Sequence, residues 1–421
     1  MKKHTCQGCP EYQSLNRRDF LKFSGLGAAA LLAPSWLPRV AYAQAGPARD
    51  VVISIFLRGG ADGLSLCVPY GDDGYYNARP TEAIPKPGAG DNRALKLDDL
   101  FALPPAMQAL LPVYKGGDLA IIHACGLTES SRSHFNAQFT METGDTGEQF
   151  SATGWLARHL LNTAPRDPQA VLRAIAINQS VQRTLAGGPE TLPVPDPGAY
   201  LFGNDDPRVD ILKTMYSDVP EPLATASQNT LRTLSALEAI DYEHYAPAGG
   251  AQYPDNDPGR ALRSTAALLK ANIGVEAFAV DVDGWDTHAG QGALYGGLAQ
   301  TMRGLADALA AFHTDVIKAG IKNVVVSVMS EFGRNVIENA SRGTDHGYGG
   351  VMFVLGGHVN GGKVYGDWPG VGEEQLFEGQ DLDITTDYRD VLSEILQKRA
   401  ATANLDAVFP GYTPQAVGVV S

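Results

Sequence analysis

Carboxylate and imidazole side chains are concentrated in one short segment, Asp281–His288 (DVDGWDTH). Alternation along a strand puts Asp281 and Asp283 on one side, and the Gly-Trp turn lets Asp286 and His288 fold back toward them. Carboxylate and imidazole ligands together suit Zn²⁺, Mn²⁺ or iron better than Mg²⁺ or Ca²⁺. The segment therefore predicts a metal site, and the alternative is an acidic solvated loop.

Further candidate ligands lie outside this segment. Asp345-His346 is a second carboxylate–imidazole pair, Asp62 lies in a glycine-rich turn, and His358 follows two glycines. A single histidine is more often structural than a ligand. Here, however, five of the nine histidines lie at or just beyond the ends of predicted strands: 123, 134, 288, 346 and 358.

A serine-rich turn, Thr128–His134, supplies candidate nucleophiles. Ser131 or Ser133 at a helix N-terminus would face free N–H groups and the positive end of the helix dipole, which favours a nucleophile close to an anion. The alternative is that these hydroxyls only cap the helix.

Strands and helices that alternate along the chain must position these residues. Apolar runs predict strands at Val51–Leu57, Leu119–Ala124, Val171–Ile177, Val275–Val282, Asn323–Met329 and Val351–Leu355. Helical periodicity fits Ser133–Thr143, Pro207–Tyr216, Ala224–Ala239, Pro258–Ala271, Ala293–Ala319 and Thr386–Ala400. This pattern predicts an α/β fold with a doubly wound, mostly parallel sheet flanked by helices, as a single elaborated domain. Ligands of such sheets bind beyond the carboxyl ends of the strands, where most of the candidates lie.

Composition and glycine spacing exclude two classes of function. The chain has 421 residues and a net charge of −14, without a Lys/Arg-rich run, so we expect no general affinity for nucleic acid. The turn after the first strand, Arg58–Ser65, lacks the G-x-G-x-x-G spacing of a dinucleotide site, which disfavours an oxidoreductase of that type.

The N-terminus has the features of an export signal. Arg17-Arg18 precedes Phe-Leu-Lys, a moderately apolar stretch follows, and Ala41-Tyr42-Ala43 matches an A-x-A cleavage pattern. We expect residues 1–43 to be a twin-arginine signal recognised by the translocase, and residues 44–421 to be periplasmic or secreted, with no membrane span. Cleavage removes six basic and two acidic residues, so the formal charge falls from −14 to −18. Cys67 and Cys125 remain, and whether they form a disulfide is open.

Seven motifs spread over the predicted mature chain give a more specific indication. They are GGADGLS, RSHFNAQ, GWDTHAGQ, SEFGRN, GTDHG, GGKVYGDWPG and TTDYRDVL, which lie in this order between Leu57 and Leu392. Together they resemble the DUF1501 family of exported bacterial proteins, which is related to the alkaline phosphatase and sulfatase superfamily. The resemblance implies an alkaline phosphatase-like domain over residues 44–421 that holds one or two divalent metals.

The resemblance also implies roles for individual residues. Asp62, Asp345 and His346 would form one metal site, and Asp283 or Asp286 with His288 and His358 the other. Ser133, or Ser131, would be the nucleophile with His134 beside it. Glu331 would be an additional ligand, and Arg334 an anion clamp.

These expectations lead to two hypotheses about function. The first is metal-assisted hydrolysis of a phosphate or sulfate ester, either a small molecule or a polymer. The second is a non-catalytic periplasmic binding or assembly protein with a degenerate metal site, acting with another exported protein. An enzyme should keep an open coordination position, whereas a scaffold would hold a closed site or none.

Overall fold

The computed structural model describes residues 49–129, 131–145, 151–200, 207–216, 218–221 and 223–421. The predicted signal segment, residues 1–43, lies outside these described residues. Backbone contacts divide the described chain into two units, one made of residues 49–197 and 242–421 and the other of residues 198–241.

The large unit is built on a mostly parallel sheet. Its central strand β1 (Val51–Leu57) is buried along its whole length and lies between β7 (Ala277–Val282) and β8 (Val324–Ser330), parallel to both. Strand β9 (Gly350–Gly356) pairs with β8 on one side and with β4 (Leu119–Gly126) on the other, and it is antiparallel to both. The remaining strands are β2 (Leu95–Lys96), β3 (Ala102–Leu103), β5 (Ala174–Ile177), β6 (Thr191–Pro193), β10 (Val364–Tyr365) and β11 (Thr386–Asp387). The strand order is β10-β4-β9-β8-β1-β7-β5-β6, β11 also pairs with β4, and β2 pairs only with β3.

Strand β9 is reversed because its connection to β8 is not a crossover. Residues 331–349, all of them described, contain no helix. Parallel neighbours need a long crossover, usually helical, whereas antiparallel neighbours can be joined directly at one edge of the sheet. The start of β9 therefore lies at the same edge as the carboxyl ends of β1, β7 and β8.

Helices cover both faces of the sheet. They are α1 (Gly63–Leu66), α2 (Asp73–Ala78), α3 (Leu111–Lys115), α4 (His134–Thr143), α5 (Trp155–Leu161), α8 (Asp257–Ala271), α9 (Gly297–Phe312) and α10 (Tyr388–Arg399). A core cluster joins Val52 and Phe56 of β1 to buried residues of α4, α5 and α10. The alternate side chains Ile53 and Ile55 point to the opposite face, which α8 and α9 cover.

The small unit contains α6 (Pro207–Met215) and α7 (Leu223–Glu238), which contact each other. Among the described helices of the whole chain, none has the length and apolar character needed to cross a membrane. In the large unit, Cys67 and Cys125 are buried as separate thiols and do not form a disulfide.

Candidate metal centre

Three histidines and one aspartate meet at the edge where β7 and β8 end and β9 begins. His134 is the first residue of α4, Asp286 and His288 follow β7, and His346 precedes β9. Ligand atoms of His134, Asp286 and His346 all lie within 4.8 Å of one another, which makes these three a possible metal-binding group. The Nε2 atom of His288 lies 3.1 Å from Asp286 Oδ1 and 3.0 Å from His346 Nε2, so His288 belongs to the same cluster.

Each imidazole is oriented by an acceptor bound to its Nδ1 atom. His134 Nδ1 lies 2.9 Å from Glu331 Oε1, and His288 Nδ1 lies 2.8 Å from Asp345 Oδ1. His346 Nδ1 lies 2.9 Å from the carbonyl oxygen of Arg132. Carbonyl and carboxylate oxygens only accept hydrogen bonds, so each Nδ1 donates and each neutral ring keeps a lone pair on Nε2.

The Nε2 lone pairs are directed into the cluster. His288 Nε2 and His346 Nε2 are 3.0 Å apart, and both face Asp286 Oδ1, at 3.1 and 3.4 Å. His134 Nε2 lies 3.7 Å from Asp286 Oδ2. Two lone pairs this close repel each other unless a cation or a proton lies between them. The arrangement has the form of carboxylate–histidine and carbonyl–histidine pairs around a metal.

Asp286 is held in place by Arg334. The Arg334 guanidinium donates to Asp286 Oδ1 (2.6 Å) and to the carbonyl oxygens of Gly60 and Thr344 (both 2.7 Å), Gly59 and Trp285. Arg334 is 1% exposed. Arg334 thereby positions Asp286 and joins the loops that follow β1 and β7. The anion-clamp role that the resemblance implies for Arg334 stays a prediction.

Local charges favour ionised carboxylates and a neutral imidazole. Burial raises the pKa of Asp286, but Arg334 and the nearby histidines outweigh it, so the pKa lies below its ordinary value. The hydrogen bond from His288 lowers the pKa of Asp345. Burial lowers the pKa of His346. Metal ligands need these protonation states.

Glu331 supports His134 and is not turned toward the Nε2 atoms. It is fully buried at the end of β8, and its Oε1 accepts from His134 Nδ1, from the backbone N–H of Gly59 (2.8 Å) and from Gln138 Nε2 (2.9 Å). Glu331 thus orients His134 through Oε1, and the additional-ligand role implied by the resemblance stays a prediction.

Asp62 lies outside the cluster, in a closed network. It is 1% exposed, forms an ion pair with Arg79, and accepts from Ser65 Oγ (2.5 Å) and Gln291 Nε2 (2.8 Å). Burial raises its pKa, but Arg79 outweighs burial and lowers the pKa below the ordinary value. Asp62 is thus committed to Arg79, which corrects its expected role as a ligand.

Two other predicted ligands are not brought to the cluster. His358 follows the reversed strand β9 and lies at the opposite edge of the sheet, where its carbonyl oxygen accepts from Ser421 N (3.2 Å). Its assignment assumed a β9 parallel to the other strands. Asp283 is exposed, and within the described part of the chain it makes no hydrogen bond or ion pair.

Ser133 lies at the N-cap of α4, immediately before His134. Its side chain is exposed and does not cap the helix. Ser131 Oγ accepts from the backbone N–H of Ser133 at 3.3 Å. Of the two serines, only Ser133 therefore presents an uncommitted hydroxyl beside a member of the cluster, within the described residues.

Two residues that help to orient the cluster, Gln138 and Arg132, were not among the predicted site residues. Gln138 lies one turn after His134 on α4, and both donate to Glu331. Spacing i, i+4 within the RSHFNAQ motif was the available signal for Gln138. No local signal identified Arg132, because its contribution is a backbone carbonyl.

Two family models match the chain, one within its C-terminal half and one at its N-terminus. Residues 219–407 match the family described as "Protein of unknown function (DUF1501)", and this range includes Asp286, His288 and His346 but not His134. Residues 14–34 match the twin-arginine translocation pathway signal sequence. No curated protein matches the chain.

Among solved structures, the chain is similar to the alkaline phosphatase from the Antarctic bacterium TAB5. Sequence identity is 11%, the match covers 83% of this chain and 98% of that chain, and the TM-score is 0.31. The signal sequence indicates export through the twin-arginine translocase to the periplasm or the medium. The chain is thus an exported protein, and its residues 219–407 match the DUF1501 family.

Proposed function

We propose that this protein is a metal-dependent hydrolase of phosphate or sulfate esters, acting outside the cytoplasm. The observation that carries the proposal is the convergence of three Nε2 atoms on Asp286, each from a ring whose Nδ1 is anchored. Cleavage of the signal after Ala43 and an alkaline phosphatase-like domain over residues 44–421 are part of the same proposal.

The donor set fits one divalent ion. His134, His288, His346 and Asp286 supply nitrogen and oxygen ligands, which suit Zn²⁺, Mn²⁺ or Fe²⁺. The side chains of Asp286 and His288 are 49% and 45% exposed, which supports an open site rather than a closed structural one. When bound, such an ion supplies positive charge that polarises the ester and lowers the pKa of a coordinated hydroxyl or water.

Ser133 is the proposed nucleophile. Its Oγ would form a bond to phosphorus or sulfur while the bond to the departing alcohol breaks, and water would then release the acid and restore the serine. The first turn of α4 supports this role, because its free N–H groups favour negative charge close to Ser133. Arg334 and Glu331 would keep Asp286 and His134 in position.

Elemental analysis of the mature protein tests the proposal. The protein, residues 44–421, is purified from its native compartment without chelator or affinity metal. We expect about one equivalent of Zn, Mn or Fe. His288→Ala and His346→Ala should each lose the metal, whereas His358→Ala, at the other edge of the sheet, should keep it.

Hydrolysis of phosphate and sulfate esters is the second measurement. Metal-loaded protein should turn over at least one ester, and Ser133→Ala should lower kcat by about 100-fold or more while keeping its metal. Absence of metal from the native protein would contradict the proposal and favour the binding or assembly function. Full turnover by Ser133→Ala would move the nucleophile to Ser131 or a water molecule.

A further inference from the structure

We infer that this site takes a singly charged ester with an apolar organic group, either a sulfate monoester or a phosphodiester, in preference to a doubly charged phosphate monoester. The inference rests on the proposed function and narrows its substrate class. Two independent observations carry it: the charge balance of the cluster and the exposed apolar side chains on the elements that carry its ligands.

The cluster itself has little positive charge. Three carboxylates, those of Asp286, Asp345 and Glu331, contact the three imidazoles. Among the described residues, Arg334 is the arginine whose side chain pairs with one of these carboxylates, Asp286. One divalent ion then brings the total to neutrality. A doubly charged ester would leave two uncompensated negative charges, and a singly charged ester would leave one.

Other arginines at this edge are committed to carboxylates. Arg58 pairs with Glu142 (2.8 Å) and Asp281 (2.7 Å). Arg132 pairs with Asp381 and with Glu378 (2.8 Å). Together with the buried Arg79–Asp62 pair, these contacts leave the three guanidinium groups with no surplus charge for a second phosphate oxygen.

Arg342 is the exception, and it supplies one charge. Its side chain is exposed and has no partner among the described residues. Its turn is fixed beside the cluster, because the Arg342 carbonyl accepts from Gln291 N (2.7 Å) and Asn339 Nδ2 donates to the His288 carbonyl (2.9 Å). Arg183 is also exposed, but it stacks over Phe139 in the second turn of α4, away from Ser133. One unpaired arginine on a turn that contacts the His288 loop, together with a neutral metal cluster, matches a single negative charge.

Exposed apolar side chains on the elements that carry the ligands indicate the other part of the substrate. Phe135 follows His134 on α4 and is 87% exposed, Tyr295 lies in the loop after His288 and is 72% exposed, and Ile337 lies in the β8–β9 loop and is 51% exposed. They account for three of the six large hydrophobic side chains that are exposed in the described chain. Apolar side chains on the elements that form a polar site favour a substrate with an organic group that they can contact.

Three esters with the same leaving group test the inference on the metal-loaded protein: 4-nitrophenyl phosphate, bis(4-nitrophenyl) phosphate and 4-nitrophenyl sulfate. For each ester, kcat/KM is divided by its uncatalysed rate constant. We expect at least one of the singly charged esters to exceed the doubly charged one by about tenfold or more. Methyl 4-nitrophenyl phosphate should be a poorer substrate than the bis ester, and Phe135→Ala should reduce that difference.

Charge variants provide the matched control. Ile337→Arg adds a positive charge to the β8–β9 loop, which carries His346. It should raise kcat/KM for 4-nitrophenyl phosphate more than for the other two esters. Leu161→Arg adds the same charge at the exposed end of α5 and should leave the ratios unchanged. Arg342→Ala should raise KM for the singly charged esters with little change in kcat. Arg342→Lys, which keeps the positive charge, should return KM to the value of the wild type.

The outcomes separate this inference from the proposed function. A preference for 4-nitrophenyl phosphate, or ratios that Ile337→Arg does not move, would overturn the inference while the hydrolase proposal stands. Metal-loaded protein that hydrolyses none of the esters would overturn both.

Discussion

Glu331 shows how one buried carboxylate can determine which nitrogen atom of a histidine is available to bind a cation. Burial raises its pKa, but the hydrogen bonds from Gln138, His134 and Gly59 outweigh burial and hold the pKa below its ordinary value. The ionised carboxylate requires a proton on His134 Nδ1, and this leaves His134 Nε2 free to bind a cation.

Replacing Glu331 with glutamine should weaken metal binding without removing a ligand. The amide oxygen can still accept from the same three donors, but it carries no charge, so His134 loses a charged acceptor. We expect metal affinity to fall by about 10- to 100-fold, measured by competition with a chelator. Glu338→Gln, on the same loop but bound to the backbone of Thr81 and Glu82, is the control. Equal affinity in both variants would contradict the role given to Glu331.

The sequence predicts which types of residue form the site, but not which individual residues belong to it. Asp286, His288 and His346 lie together, as the density of carboxylate and imidazole at strand ends suggested. Asp62 looks equivalent in sequence, yet its partner Arg79 lies two short helices further along the chain, and only their burial together takes Asp62 out of the site.

At the level of secondary-structure elements, the Asp62–Arg79 pair holds the turn after β1 against the loops of the site. Arg79 also donates to the carbonyl oxygens of Asn335 and Val336 (both 2.9 Å), in the β8–β9 loop. Gln291 extends the network, because its Oε1 accepts from Thr287 Oγ1 (2.9 Å) and Thr344 Oγ1 (2.7 Å). Three loops that carry the site are thus joined beneath it.

Asp62→Asn should therefore lower stability and spare the metal. Removing one charge of a fully buried pair leaves Arg79 uncompensated, so we expect the free energy of unfolding to fall by about 3 to 5 kcal/mol. Denaturant titration measures the loss. The folded fraction should keep the metal content of the wild type, and loss of metal would restore Asp62 as a ligand. Asp73→Asn, in an exposed pair with Lys86, should leave stability unchanged.

At the scale of the whole molecule, His123 and His159 are described residues that are buried away from the cluster. Burial lowers the pKa of His123 to about 4 and that of His159 to about 3. His123 lies within β4 and binds the carbonyl of Cys67 (2.9 Å), and His159 lies on α5 and binds Thr402 Oγ1 (2.8 Å). Both residues make the folded state resist protonation.

Stability of the metal-free protein should consequently fall in mild acid. The unfolded chain protonates these histidines below about pH 6.5, whereas the folded chain does so only near pH 4 and pH 3. The unfolded state binds more protons in this window, so the free energy of unfolding should decrease as pH falls, by at most about 3 kcal/mol for each histidine at pH 4. Denaturant titrations at several pH values give the slope, and no change between pH 6.5 and 4 would contradict the assignment.

The sequence predicts where the main strands lie along the chain, but it does not predict the direction of β9. The apolar runs predicted β1, β4, β5, β7, β8 and β9 within a few residues. An apolar run of this kind has no direction, so β9 was assigned to a parallel sheet and His358 to the site. The absence of helical periodicity between Ser330 and Gly350 was the available signal for a reversed strand.

The reversed strand brings both ends of the β8–β9 connection to neighbouring points at one edge of the sheet. Residues 331–349 leave and re-enter the sheet at one edge, between two adjacent strands, and they bring Glu331, Arg334, Asp345 and His346 with them. Because this segment starts and ends at adjacent strands, a change in its length need not alter the strand order. Glu331 and Arg334 also contact the turn after β1 and the loop after β7, so we expect a change in this segment to alter the ligands and their supports together.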